Sequence, residues 1–156
     1  MMRVGHGFDS HAYIADQDRP LILGGVTFES DLALQGHSDS DVITHACIDS
    51  FLSPTGLGDI GTLFPDSDPK YLNADSLELL QYSVELVNNA GWTIVNIDCS
   101  IIADIPKIQP SRSLIEATLS KIVQAPVTVK GKTPEGLLDF NGVACFAVCL
   151  LKNSNG

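Results

Sequence analysis

Apolar positions along this chain change period several times, and each change marks an element. Residues 2–8 and 21–28 are short apolar runs that predict strands, joined by a polar loop holding Asp16, Asp18 and Pro20. Over residues 41–52 the spacing turns helical, with Ser38, Asp39 or Ser40 as N-cap candidates. On that helix Ile43, Ala46 and Cys47 share one side, and Asp41, His45 and Asp49 form a polar row away from it. Residues 75–89 carry the clearest helical pattern. Asp75 stands at the cap, Glu78 at capping-box distance, and Leu77, Leu80, Val84 and Val87 recur along one face before Gly91. Residues 92–102 predict a strand, and 111–123 an amphipathic helix opened by Pro110 and Ser111. Residues 127–132 and 143–151 predict two closing strands.

The order β-β-α-α-β-α-β-β predicts a two-layer α+β domain, a mixed sheet with helices on one face, spanning residues 1–156 as one unit. Residues 53–73 break the pattern with dense Gly, Pro and Asp. A loop of that length in a compact domain is usually functional or mobile.

Composition narrows the function. At 156 residues, 44% hydrophobic and 18% charged, the chain can bury a core without staples. Its formal charge of -10 argues against nucleic acid, which needs a basic face. No signal-peptide pattern or membrane-length apolar run is seen, so a cytoplasmic protein is expected. Cys47, Cys99, Cys145 and Cys149 form no CxxC pair and sit in apolar segments, which predicts reduced core thiols.

The candidate chemistry is concentrated near the start. All 4 histidines fall in two short clusters, Gly5-His6-Gly7-Phe8-Asp9-Ser10-His11 and Gly36-His37-Ser38-Asp39-Ser40-Asp41-Val42-Ile43-Thr44-His45. Asp9 and His11 are two apart and share a side of an extended strand, while His45 joins from the helix. One carboxylate and two imidazoles suit a zinc-type ion with an open fourth position. The alternative is a local hydrogen-bond pair with a packed His45, and from these residues alone both stay open. His37 precedes a helix start, where its ring and free backbone N–H groups could together hold an anion. His6, between glycines, is expected to be structural. Asp39, Asp41 and Asp49 are expected to cap the helix or to steady ligand side chains.

Longer strings extend the pattern: Leu57-Gly58-Asp59-Ile60-Gly61, Phe64-Pro65-Asp66-Ser67-Asp68-Pro69, Ala74-Asp75-Ser76 and Pro106-Lys107. In order and spacing the whole set resembles the 2-C-methyl-D-erythritol 2,4-cyclodiphosphate synthase family, nearly end to end. The resemblance implies a cytoplasmic homotrimeric lyase of isoprenoid precursor biosynthesis, with active sites between subunits. Its substrate would be 4-diphosphocytidyl-2-C-methyl-D-erythritol 2-phosphate, cyclised with release of CMP.

By position, the resemblance implies zinc on Asp9, His11 and His45, and a second divalent cation, magnesium or manganese, facing Glu135. His37 and Thr133 would stabilise the transition state. Substrate contacts would come from Asp9, Ser10, His11, His37 and Ser38, from Asp59, Ile60 and Gly61, and from Phe64, Pro65, Asp66, Ser67 and Asp68 in a mobile loop. The cytosine would lie against Ala103, Asp104, Ile105, Pro106, Lys107, Ile108 and Gln109. The diphosphate would meet Lys132, Thr133, Pro134 and Glu135. Without the family, Lys130 and Lys132 also read as a solvated strand edge, and Pro106-Lys107 as an ordinary turn.

The chain departs from the family after Glu135. Residues 136–143 are shorter than the family's Gly-Phe-x-Gly-Arg-Gly-Glu segment and lack its arginine. From the residues alone, a metal-dependent phosphohydrolase and a non-enzymatic metal-binding oligomer remain rival readings.

Overall fold

A computed structural model describes residues 1–136 and 141–154. The run after Glu135 that departs from the family, including Phe140, therefore falls mostly outside the described residues. Strands β1 (Met2–Ile14), β4 (Ala33–Leu34), β5 (Trp92–Ile102), β6 (Val127–Lys132) and β7 (Gly142–Asn153) form one mixed sheet, ordered β4-β1-β7-β5-β6. All neighbours are antiparallel except β5 and β6, which helix α4 (Arg112–Val123) connects as a parallel crossover. Helices α1 (Val42–Thr55), α3 (Ser76–Asn89) and α4 pack on one sheet face, and the short α2 (Ile60–Leu63) follows α1.

Alternation along the central strands decides which face is covered. Cys145, Ala147, Cys149 and Leu151 of β7 and Ile97, Cys99 and Ile101 of β5 point under the helices and are buried. Gly5 and Gly7 on β1 point the same way. A Cβ on either would lie 1.9 Å from a carbonyl oxygen of α1, that of Ser50 or of Ala46. The two glycines let helix and strand approach backbone to backbone. The four cysteines are free and buried, as expected, with Cys47 and Cys99 Sγ atoms 3.5 Å apart.

Several expectations need correction. Residues 21–28 are not one strand. Gly24 and Gly25, with φ of 61° and 72°, fold them into a hairpin of β2 (Leu21–Leu23) and β3 (Val26–Phe28), a separate two-stranded sheet. The N-cap of α1 is Asp41, not Ser38, Asp39 or Ser40, and its carboxylate takes four hydrogen bonds, from Gly24, Gly25 and Thr44 N–H and the Thr44 hydroxyl. The helix has no solvated polar row. Asp41 and His45 are buried with the apolar residues, and the partly buried Asp49 accepts from Ile60 N–H at 2.8 Å. Residues 53–73 are not structureless, since they hold the end of α1, α2 and a 3-10 turn at Pro69–Tyr71. Among the described residues no helix is long and apolar enough to cross a membrane.

Candidate metal centre and neighbouring cleft

Asp9 and His11 leave β1 on its helix-facing side, just beyond the point where Gly5 and Gly7 admit α1. His45 comes from the first turn of α1 to meet them. Asp9 Oδ2 lies 3.3 Å from His11 Nε2 and 2.9 Å from His45 Nδ1, and one ligand atom from each residue falls within 4.8 Å of the other two. Ligands around a tetrahedral zinc-type ion at 2.0–2.1 Å stand about 3.3 Å apart, so the three donors fit such an ion with little rearrangement.

The electrostatics agree. Burial opposes ionisation of Asp9, but hydrogen bonds and charges from His11 and His45 prevail and hold its carboxyl well below the usual range. Burial likewise opposes a charged His45, yet the hydrogen bond and charge of Asp9, backed by Asp41 and Asp39, raise its basicity above the ordinary value. A cation entering here replaces a proton with a stronger positive charge.

The trio opens into a cleft of about 370 Å³, shared with His37, Ser38, Ile60, Gly61, Phe64 and Asp66. The His37 ring is held by the Asp68 carbonyl, at 3.1 Å from Nε2. Ser38 Oγ sits 3.2 Å from His45 Nε2. At the start of α1 the Asp41 carboxylate caps Thr44 N–H and Asp39 accepts from Asp41 N–H, so these two donors are already occupied. Phe64 stacks edge-on against Tyr71 and Tyr82, with ring centroids 5.4 and 5.8 Å away.

Other residues of the predicted set stand apart from the trio. Asp59 caps α2 through Thr62 and is absent from the cleft wall, as are Pro65, Ser67 and Asp68. The side chain of Ser10 points to the opposite face of β1, and its N–H is spent on Asp9 Oδ1 at 2.9 Å. A second cleft of about 350 Å³ gathers Ala103, Pro106, Lys107, Ile108 and Gln109 with Lys132, Thr133 and Glu135. Asp104, Ile105 and Pro134 do not line it. The Thr133 hydroxyl donates to the Glu135 carboxylate, and Tyr13 donates to the Ile105 carbonyl, which ties β1 to that loop. Lys130 is not at the cleft. It pairs with Asp98 on the exposed side of the sheet.

A separate hollow of about 600 Å³ is lined by Asp16, Asp18, Asp39 and Asp75 around Arg19. So many carboxylates disfavour an anionic ligand in that hollow. Sequence spacing missed Tyr71, Leu79 and Gly36 in the metal cleft, and the contact of Ser76 Oγ with His45 Nε2 at 2.7 Å. The Ala-Asp-Ser string was a signal for Ser76, but nothing local pointed it at a histidine 31 residues away.

Comparison with known proteins fits this geometry. The YgbB family model matches residues 2–152. A 2-C-methyl-D-erythritol 2,4-cyclodiphosphate synthase of Aquifex aeolicus is 43% identical over 153 residues, covering 96% of this chain and 97% of the relative. One from Bordetella petrii is 46% identical over 159 residues, covering 98% and 97%. A solved synthase of the same name in a CDP-bound form aligns at TM-score 0.87 and 37% identity, over 96% of this chain and all of that one. A CDP complex of the Plasmodium falciparum protein aligns at 0.83 and 35%, over 99% and 97%. With a near full-length family match and relatives at 43 and 46% identity, the chain belongs to the YgbB family of 2-C-methyl-D-erythritol 2,4-cyclodiphosphate synthases.

Proposed function

We propose that this chain is a phosphorus–oxygen lyase that cyclises 4-diphosphocytidyl-2-C-methyl-D-erythritol 2-phosphate in the methylerythritol phosphate route to isoprenoids. The observation that carries this reading is the Asp9, His11 and His45 set opening into a cleft with His37 and Ser38. An oxygen of the 2-phosphate attacks the β-phosphorus, and the bond from that phosphorus to the oxygen of CMP breaks. The products are the eight-membered cyclic diphosphate and CMP. The attacking phosphate is already anionic, so no general base is needed. The work of the protein is to fold the substrate back on itself and to neutralise charge.

Asp9, His11 and His45 would hold zinc, which would supply Lewis-acid polarisation of the β-phosphate. His37 and Ser38 bind a phosphate, and the Thr133 hydroxyl, which donates to Glu135 in the free chain, turns to donate to the developing charge. Ile60, Gly61 and Asp59 hold the sugar portions, and the segment from Phe64 to Asp68 covers the methylerythritol phosphate. Ala103 to Gln109 receive the cytosine, with Lys132 and Pro134 near the diphosphate. Glu135 would face a second divalent cation, magnesium or manganese.

The two clefts share no lining residue. A homotrimer with each site built between neighbours joins a metal cleft from one subunit to a cytosine cleft from the next. An apolar patch supports such packing: Val4, Phe8, Phe146 and Val148 are 69, 47, 40 and 47% exposed on the uncovered sheet face. Incubation with the cytidylated substrate tests the reaction. CMP with the cyclic diphosphate is expected, and a linear phosphate product would make the chain a hydrolase instead.

A further inference from the structure

His45 has two ring nitrogens with different company. Nδ1 faces Asp9, and Nε2 faces away from the trio toward Ser76 Oγ at 2.7 Å. Ser76 is the first residue of α3 and has no exposed surface. Its hydroxyl donates its only proton to Asp39 Oδ1, and its N–H donates to Asp39 Oδ2 at 2.9 Å. Asp39 Oδ1 also accepts from Asp41 N–H at 3.1 Å, and its own N–H donates to the Ala74 carbonyl. The carboxylate is therefore fixed between the starts of α1 and α3.

Proton counting then decides the tautomer. With its hydrogen committed to Asp39, Ser76 Oγ can offer Nε2 only a lone pair. A bare Nε2 would place lone pair against lone pair at hydrogen-bond distance, so Nε2 carries the hydrogen and donates. Ser38 Oγ, which accepts from Ser40 N–H at 3.2 Å, can share that hydrogen but cannot remove the conflict. The nitrogen left for a metal is Nδ1, the one that faces Asp9 and His11.

We propose that Ser76 and Asp39 are positioning residues for His45, fixing its Nε2–H tautomer and ring orientation so that Nδ1 is presented to the ion. The relay runs from ligand to hydroxyl to carboxylate, from α1 to the start of α3 and back to the segment ahead of α1. It rests on the reading of the trio as a metal site. Hydrogen-bond partners of ligating histidines commonly change metal affinity by about 10- to 100-fold.

The test is zinc affinity of the full-length protein, measured by competition with a chromophoric chelator. Ser76→Ala and Asp39→Asn are each expected to weaken zinc binding about 10- to 100-fold. Ser83→Ala removes another fully buried hydroxyl from α3, one that donates to the Leu79 carbonyl, and should leave affinity unchanged. Melting of the metal-free variants separates loss of fold from loss of positioning. A measurement on the unaltered protein needs no variant: imidazole nitrogen NMR of the zinc form should show a slowly exchanging proton on His45 Nε2 and zinc on Nδ1. Zinc on Nε2, or wild-type affinity in Ser76→Ala, would overturn the proposal while leaving the metal site standing. Zinc binding absent from the wild type, or unaffected by His45→Ala, would instead remove the metal reading on which it rests.

Discussion

The two faces of β1 are made from alternate residues of one short segment, yet they obey opposite rules. The face under α1 carries Gly5, Gly7, Asp9 and His11, where space is so limited that two positions tolerate no side chain. The other face carries Val4, His6, Phe8 and Ser10 and stands open. Phe8 there pairs with Phe146 of β7, ring centroids 4.8 Å apart. The difference teaches that the histidine-rich string is two interleaved messages. The odd-numbered residues bring a helix close and then set Asp9 and His11 beside His45, and the even-numbered ones leave an exposed apolar face, the surface proposed for subunit packing.

The strongest way to break this contrast is at the ligand that α1 contributes. His45→Ala should lose most bound zinc and cut CMP release about a thousandfold, roughly 4 kcal/mol of transition-state stabilisation. Full zinc stoichiometry in the purified variant would refute the assignment. Next comes the packing that delivers His45. Gly7→Ala forces a methyl against the Ala46 carbonyl, and overpacking of this kind costs about 3 kcal/mol, near 10 °C in melting temperature for a chain of this size. A wild-type melting curve would show that α1 can shift freely.

The open face should respond differently. Phe8→Asp should dissociate the proposed trimer, at a cost of about 2 kcal/mol per buried ring, while each chain keeps its fold. Sedimentation and circular dichroism read the two effects separately, and an intact trimer would mean that another surface joins the subunits. The smallest effect belongs to Ser10→Ala, within about 0.5 kcal/mol in stability. Its hydroxyl faces away from Asp9 and His11, so kcat/KM should also stay near wild type. A large loss would mean that the hydroxyl is reached from a neighbouring subunit.

Much of this was readable from the chain. The strands β5 and β6 and the helix α3 follow from local period, because each buries one face and exposes the other. Asp9 and His11 on one side follow from strand geometry alone. What escaped were features whose cause lies far away in sequence. The polar row of α1 is buried because its polar atoms find partners in the β2–β3 hairpin, in α2 and on β1, which no helical wheel contains. The glycines of residues 5 and 7 read as flanks of His6, when their meaning is the helix that arrives some 40 residues later. Gly24 and Gly25 were a legible turn signal, overridden by the apolar run around them.

The separation of the two clefts has a genetic consequence. In the proposed trimer, a lesion in the metal cleft and a lesion in the proposed cytosine cleft damage opposite halves of a site shared between two subunits. Two dead proteins of these kinds, such as His45→Ala and one with Thr133 and Glu135 removed, need not make a dead mixture. When their subunits are exchanged, some boundaries carry an intact half from each parent. The locus can therefore show complementation between alleles of one gene, with activity returning only after the assemblies have been taken apart and reformed together.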